Sequence, residues 1–204
     1  VAGGTLIVGD VHGCADELQA LYELARPARV VSVGDLFTKG PDPVGVWRRI
    51  QAWGARAVRG NHETALLQDP DRARRLGLPP AALDWMALLP LVIELEDLGL
   101  VVVHGGLHPE LGIEGTDRRL ATTLRRWPDE RDPAAPFWWQ LYQGPELVVY
   151  GHDAVRGLQD HRPRTLGLDT GCVYGGRLTG YIPEDGALVS VPAARVYKRP
   201  AGGR

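Results

Sequence analysis

Apolar and polar positions alternate along this chain in blocks of two different periods. Residues 5–8 are a β-branched and aliphatic run ending at Gly9, which predicts a buried strand, and Leu18, Leu21 and Leu24 then recur at helical spacing. The order repeats with an apolar run at 29–33, followed by a helical stripe of Val44, Val46, Trp47 and Ile50 in which Pro43 suits the first turn. A third repetition pairs the run 55–58 with Asn61 and a short helix through Leu67. Strands alternating with helices predict a layered α/β fold with a mainly parallel first sheet.

After residue 90 the texture changes. Runs at 91–95, 99–103, 147–150, 165–168, 177–181 and 187–191 all read as strands with few helices between them, and a second sheet packed on the first is expected from them. The stretch 107–146 carries Arg125, Arg126, Trp127, Phe137, Trp138 and Trp139 among prolines and charges and is expected to form a cap or lid. Residues 200–204 read as a frayed tail, so that a single domain spans 1–199.

Composition narrows the chemistry. A net charge of -2 and a pI near 6.3 speak against a broad nucleic-acid surface, which needs a basic excess, but leave a small phosphorylated ligand open. Cys14 and Cys172 form no CxxC spacing, so neither a disulfide framework nor a zinc knuckle is expected. The chain enters Leu6-Ile7-Val8 without a basic flank or a long apolar run, which predicts a cytoplasmic protein with no membrane anchor.

Five short segments carry the candidate chemistry: Gly9-Asp10-Val11-His12-Gly13, Gly34-Asp35, Gly60-Asn61-His62-Glu63, His104-Gly105-Gly106 and Gly151-His152. Taken singly, Asp10, Asp35 or Asn61 is a turn or cap residue and His104 a core histidine. Taken in order, most of them behind an apolar run, they place Asp, His and Asn side chains at strand ends. Asp10 and His12, two residues apart, would face one way by strand alternation and bind one divalent ion. Asp35, with two oxygens, would bridge to a second ion completed by Asn61, His104 and His152. Mixed oxygen and nitrogen ligation suits manganese, iron, zinc or cobalt, manganese first, better than calcium or an all-oxygen magnesium site. Two such ions make hydroxide available near neutral pH, and His62 is then placed as general acid.

These residues resemble the calcineurin-like metallophosphoesterases, in the branch shared by Ser/Thr protein phosphatases and bacterial diadenosine tetraphosphatases, from Leu6 to Tyr181. The resemblance implies a two-sheet αββα sandwich, with Asp10, His12 and Asp35 on one metal and Asp35, Asn61, His104 and His152 on the other. Protein phosphatases of this family usually carry Asp where this chain has Thr38 and Arg where it has Lys39; that Asp ordinarily orients the acid histidine. Lys39 can still neutralise a phosphate, as a compact point charge. Lys39-Gly40-Pro41, Gly151 to Ala154 and Leu168 to Gly176 resemble the diadenosine-tetraphosphatase-like group. The implied reaction is symmetrical cleavage of a dinucleoside polyphosphate, with Asp35, Lys39 and His62 at the chemistry and Lys39, Asn61, Arg125 and Arg126 on the substrate. A phosphomonoesterase acting on phosphoproteins or small esters, or a polyphosphatase, is the alternative.

Several residues keep two readings. Asp169 either orients a ligand histidine or caps the turn before Gly171. Arg125 and Arg126 either reach the phosphates or lie on a solvated face, and Trp127, Trp138 and Trp139 either stack on adenine or anchor the segment to the core. Cys172 reads as a small buried side chain, and His108 and His161 as surface residues.

Overall fold

In a computed structural model that describes residues 3–199, the apolar runs become strands whose alternate side chains face two different cores. In β1 (Thr5–Val8), Ile7 points between two sheets toward Val31 and Val33, while Leu6 and Val8 point outward to Leu18 and Leu21 of α1 (Ala15–Ala25). In β5 (Leu100–Val103) the same pleat sends Leu100 and Val102 inward and Val101 and Val103 outward. Three apolar layers result, one between the sheets and one on the outer face of each. The expected αββα sandwich is what these layers build.

The first sheet has the order β10 (Ala187–Pro192), β9 (Arg177–Ile182), β1, β2 (Arg29–Ser32), β3 (Arg56–Ala57), with β1 parallel to β2 and β2 parallel to β3. Helices α2 (Pro43–Trp53), α3 (Asn61–Gln68), α4 (Pro70–Arg75) and α5 (Pro80–Ala87) follow along the chain. Asp42 caps α2 by accepting from Gly45 N at 2.7 Å, and Pro43 opens it as expected. The second sheet has the order β4-β5-β6-β8-β7, built from β4 (Val92–Leu95), β5, β6 (Leu147–Tyr150), β7 (Gln159–His161) and β8 (Thr165–Gly167).

Two expectations are corrected here. The last two strands, β9 (Arg177–Ile182) and β10 (Ala187–Pro192), join the first sheet and not the second, and they join it antiparallel, so that sheet is mixed. Leu178 and Ile182 pack in the Leu6 and Val8 cluster, and it is this burial, not chain order, that selects the edge beside β1. Helices α4 and α5 were not legible because their apolar stripe is thin: α4 buries only Ala73, and α5 only Ala82 and Met86.

Residues 107–146, including α6 (Arg118–Thr123) and α7 (Trp138–Leu141), bury Leu107, Leu120, Leu124, Trp138 and Tyr142 against the outer face of the second sheet. Trp138 is thus a core residue; Trp127 rests on His108 and Trp139 lies between Phe137 and His161. Cys14 and Cys172 are free and buried. Among the described residues no helix is long and apolar enough to cross a membrane, and the expected tail 200–204 lies outside them.

Candidate metal centre and active site

Loops leaving β1, β2, β3, β5, β6 and β8 bring Asp10, Asp35, Asn61, His104, His152 and Asp169 to one edge, as parallel strand ends do in layered α/β folds. Strand alternation is not what aims Asp10 and His12: β1 ends at Val8, and His12 sits in a left-handed turn (φ 47°). That turn is held against the next loop by His12 N to Asp35 O (2.8 Å) and Gly13 N to Leu36 O (2.7 Å). Asp35, Lys39 and His152 also have positive φ, at 54°, 72° and 71°. Such backbone is costly for side chains with a Cβ and survives where the surroundings over-determine it, which is common at functional sites.

The two oxygens of Asp35 face different neighbours. Oδ2 lies 3.6 Å from Nε2 of His12 and 3.9 Å from Nε2 of His62, whereas Oδ1 lies 3.4 Å from Nε2 of His104. Donor atoms of His12, Asp35 and His62 lie within 4.8 Å of one another, and so do those of Asp10, Asp35 and His104, with Asp35 common to both groups. Asp10 lies within reach of both His104 and His12, its Oδ2 being 3.9 Å from His12 Nε2. Asn61 Oδ1 is 3.0 Å from His104 Nε2 and 3.1 Å from His152 Nδ1. The Val33 carbonyl holds His104 Nδ1 at 2.7 Å, so Nδ1 carries the proton and Nε2 presents its lone pair.

Close approach is bought with glycine at two places. A Cβ on Gly60 would stand 2.2 Å from Asp35 Oδ1, and one on Gly151 would stand 2.1 Å from Asp10 Oδ1.

Burial sets the protonation states. It raises Asp10, further raised by Asp169 and Asp35, and pushes Asp35 up to about 7. It holds His104 down to about 4 and lowers His12 and His152, so these imidazoles keep their lone pairs. Crowded buried carboxylates beside unprotonated imidazoles are a donor set that divalent cations fit.

Around this floor stand the residues that could act on a substrate. Nδ1 of His62 is 2.7 Å from the hydroxyl of Thr38, which is fully buried. What orients His62 in place of an aspartate is therefore Thr38 itself. Burial, then the fields of Lys39, His104, Arg72 and Lys198, lower His62 to about 3. The Lys39 ammonium donates to His12 Nε2 at 2.9 Å and lies 5.4 Å from the centre of the Tyr174 ring. A cavity of about 560 Å³ opens above, reached by Arg125 and Arg156 as well as Lys39.

Arg126 is a correction. Its guanidinium bonds the Ala135 carbonyl and stacks over Phe137, and it does not line the cavity. For Asp169 the geometry carries the turn cap: its Oδ1 accepts from Gly171 N at 3.1 Å, and it hydrogen-bonds none of the histidines. It reaches the site as a wall of the cavity and through its field on Asp10.

Two residues at the site carry no role in the sequence reading. Glu63 is wholly buried and accepts from Asp35 N (2.8 Å), Leu36 N (2.8 Å) and Gly60 N (3.0 Å), locking the Asp35 loop to the start of α3. Its position three residues after Gly60 is the spacing of a capping box, the signal that was available. Asp153 holds Arg156 at 2.9 Å and lies 3.8 Å from Arg125, and nothing in its local sequence announces that.

Residues 5–180 match the calcineurin-like phosphoesterase family. The chain is 30% identical to the asymmetrical bis(5'-nucleosyl)-tetraphosphatase PrpE of Bacillus velezensis, covering 94% of this chain and 93% of that one. It is 28% identical to the symmetrical bis(5'-nucleosyl)-tetraphosphatase of Aeromonas salmonicida, with 91% and 96% covered. A solved structure provisionally called a diadenosine tetraphosphatase superposes with a TM-score of 0.84 at 34% identity, over 95% of each chain. A match over the span that carries all five segments, on a fold with the same layers, makes this chain a member of the calcineurin-like phosphoesterase family and a hydrolase of that class.

Proposed function

We propose that this phosphoesterase hydrolyses a phosphoanhydride bond of a dinucleoside polyphosphate such as diadenosine tetraphosphate, cleaving it symmetrically. Asp10, His12, Asp35, Asn61, His104 and His152 would hold two divalent ions, manganese before iron, zinc or cobalt, and such a pair, when bound, polarises a phosphoryl oxygen and lowers the pKa of water. Lys39 binds a phosphate oxygen at the mouth of this floor, with Asn61 and Arg125 beside it. His62 delivers a proton to the leaving oxygen.

The observation that carries the choice of bond is the Thr38 hydroxyl at 2.7 Å from His62 Nδ1. A carboxylate at that position would stabilise an imidazolium and keep His62 protonated at working pH, ready to protonate an alkoxide. A neutral hydroxyl positions the ring without holding its positive charge, and His62 is already lowered by burial and by Lys39. Such an acid suffices when the leaving group is a nucleotide phosphate, itself a good one, and serves a serine or threonine ester poorly. The names of relatives with 28% and 30% identity support the same substrate class.

Asymmetrical cleavage is the second reading, favoured by the name of the Bacillus velezensis relative. A manganese-supplemented assay on diadenosine tetraphosphate separates the two, since symmetrical attack yields two molecules of ADP and asymmetrical attack yields ATP and AMP. Faster turnover of a phosphoserine peptide than of diadenosine tetraphosphate would overturn the assignment to anhydrides.

A further inference from the structure

The two flanks of the cavity differ in how their charges are balanced. On one flank Arg125 and Arg156 share Asp153, and Arg125 also lies 3.7 Å from Glu130. On the other flank a groove of about 290 Å³ runs from Lys39 over Gly40 and Pro41 to Arg195, Val196 and Tyr197. Lys39 lines both this groove and the catalytic cavity, so the two meet at that side chain. Among the described residues no carboxylate lines the groove, and Arg195 has no ion-pair partner.

The strap that presents Arg195 is anchored. After β10, Ala193 N donates to Gly176 O at 2.9 Å, and Tyr197 N and Lys198 N donate to Val173 O at 3.1 and 3.0 Å. Buried Glu17 reaches up from α1 and accepts from Ala194 N at 2.9 Å and from the Tyr197 hydroxyl at 2.7 Å. These bonds tie the strap to the 171–176 loop, whose Tyr174 walls the catalytic cavity. The Arg195 guanidinium lies 5.3 Å from the centre of the Tyr197 ring, which steadies an otherwise exposed cation.

We propose that this groove is a subsite for a phosphate chain: the phosphates beyond the one attacked run from Lys39 onto Arg195. A single phosphoryl group would be consumed by the floor and Lys39, so an unpaired cation further out serves a substrate with more phosphates to place. Guanidinium and ammonium groups are the side chains that take phosphate oxygens by charge-assisted hydrogen bonds. The inference rests on the function proposed above for the identity of the substrate, but the recognition itself asks only for linear, linked phosphates, which inorganic polyphosphate also offers.

The test is the variant Arg195→Ala, assayed as metal-loaded full chain on diadenosine tetraphosphate and on p-nitrophenyl phosphate, with inorganic tripolyphosphate as inhibitor of the latter. The ratio of kcat/KM for the dinucleotide to that for the monoester should fall about tenfold, carried by KM, and the inhibition constant of tripolyphosphate should rise about as much. A raised inhibition constant with an unchanged ratio keeps the subsite and assigns it to inorganic chains. An unchanged ratio together with unchanged inhibition overturns it. Were the parent chain inert on diadenosine tetraphosphate, the substrate assignment would fail while the tripolyphosphate arm still decided the groove.

Discussion

On the floor of the cavity Asp10, His12, Asp35 and His104 are at most 3 % exposed, and the loops carrying them are bonded to one another through backbone and through Glu63. On the rim, the side chains of Arg125 and Arg156 keep 38 % and 30 % of their surface and are set by two carboxylates, Asp153 between them and Glu130 beside Arg125. The floor is over-determined, so its geometry belongs to the fold. The rim depends on a few surface side chains and can change without disturbing the sandwich. On the function proposed above, the floor would set the chemistry and the kind of bond it suits, and the rim would set how the rest of the substrate is held.

That contrast predicts a graded series of losses. Asp35→Asn removes the carboxylate common to both donor groups, and both metal content and turnover should vanish; a variant that kept either, by metal analysis and phosphate release, would break the distinction. His62→Ala should keep the metals and lose roughly 10²–10⁴-fold in kcat on an ester, with a smaller loss on an anhydride. Equal losses on the two substrates would remove the leaving-group argument.

Gly60→Ala places a methyl 2.2 Å from Asp35 Oδ1 and 2.7 Å from Asp35 N, neither of which can yield easily. A fall of about 1–3 kcal/mol in unfolding free energy is expected, read by denaturant titration. Thr38→Ala should lower kcat about three- to tenfold through loss of one hydrogen bond to His62, and Thr38→Ser should restore it. The smallest effect belongs to Arg126→Ala, which should leave KM within about twofold because the guanidinium faces Phe137 and Ala135, whereas Arg125→Ala should raise KM by about tenfold. A larger KM change at Arg126 than at Arg125 would reverse their placement on the rim.

Much of the floor was readable because its residues are defined by donor type and by position after an apolar run. Strand β1, helix α2 and strand β6 fall where periodicity places them, and Asp10, Asp35, Asn61, His104 and His152 follow from that placement. Glu63 was missed because a buried glutamate after a metal-type motif looks like a helix residue until its three amide partners from two loops are seen. Arg125 and Arg126 are adjacent and alike in sequence, and only the bridge between Arg126 and Phe137 turns one away from the cavity.

The sequence by itself determined the family of chemistry, since the kind and order of candidate metal-ligating side chains is a local, chemical fact, and it determined the layered α/β fold through its two periodicities. Tertiary structure alone decided that β9 and β10 close the first sheet, that Thr38 holds His62, and that the strap at 193–198 sets Arg195 beside Lys39. A period of two or 3.6 says which face of an element is buried, but not against what. Those pairings lie up to 180 residues apart, as between Glu17 and Tyr197, and are chosen by the packing of the whole core.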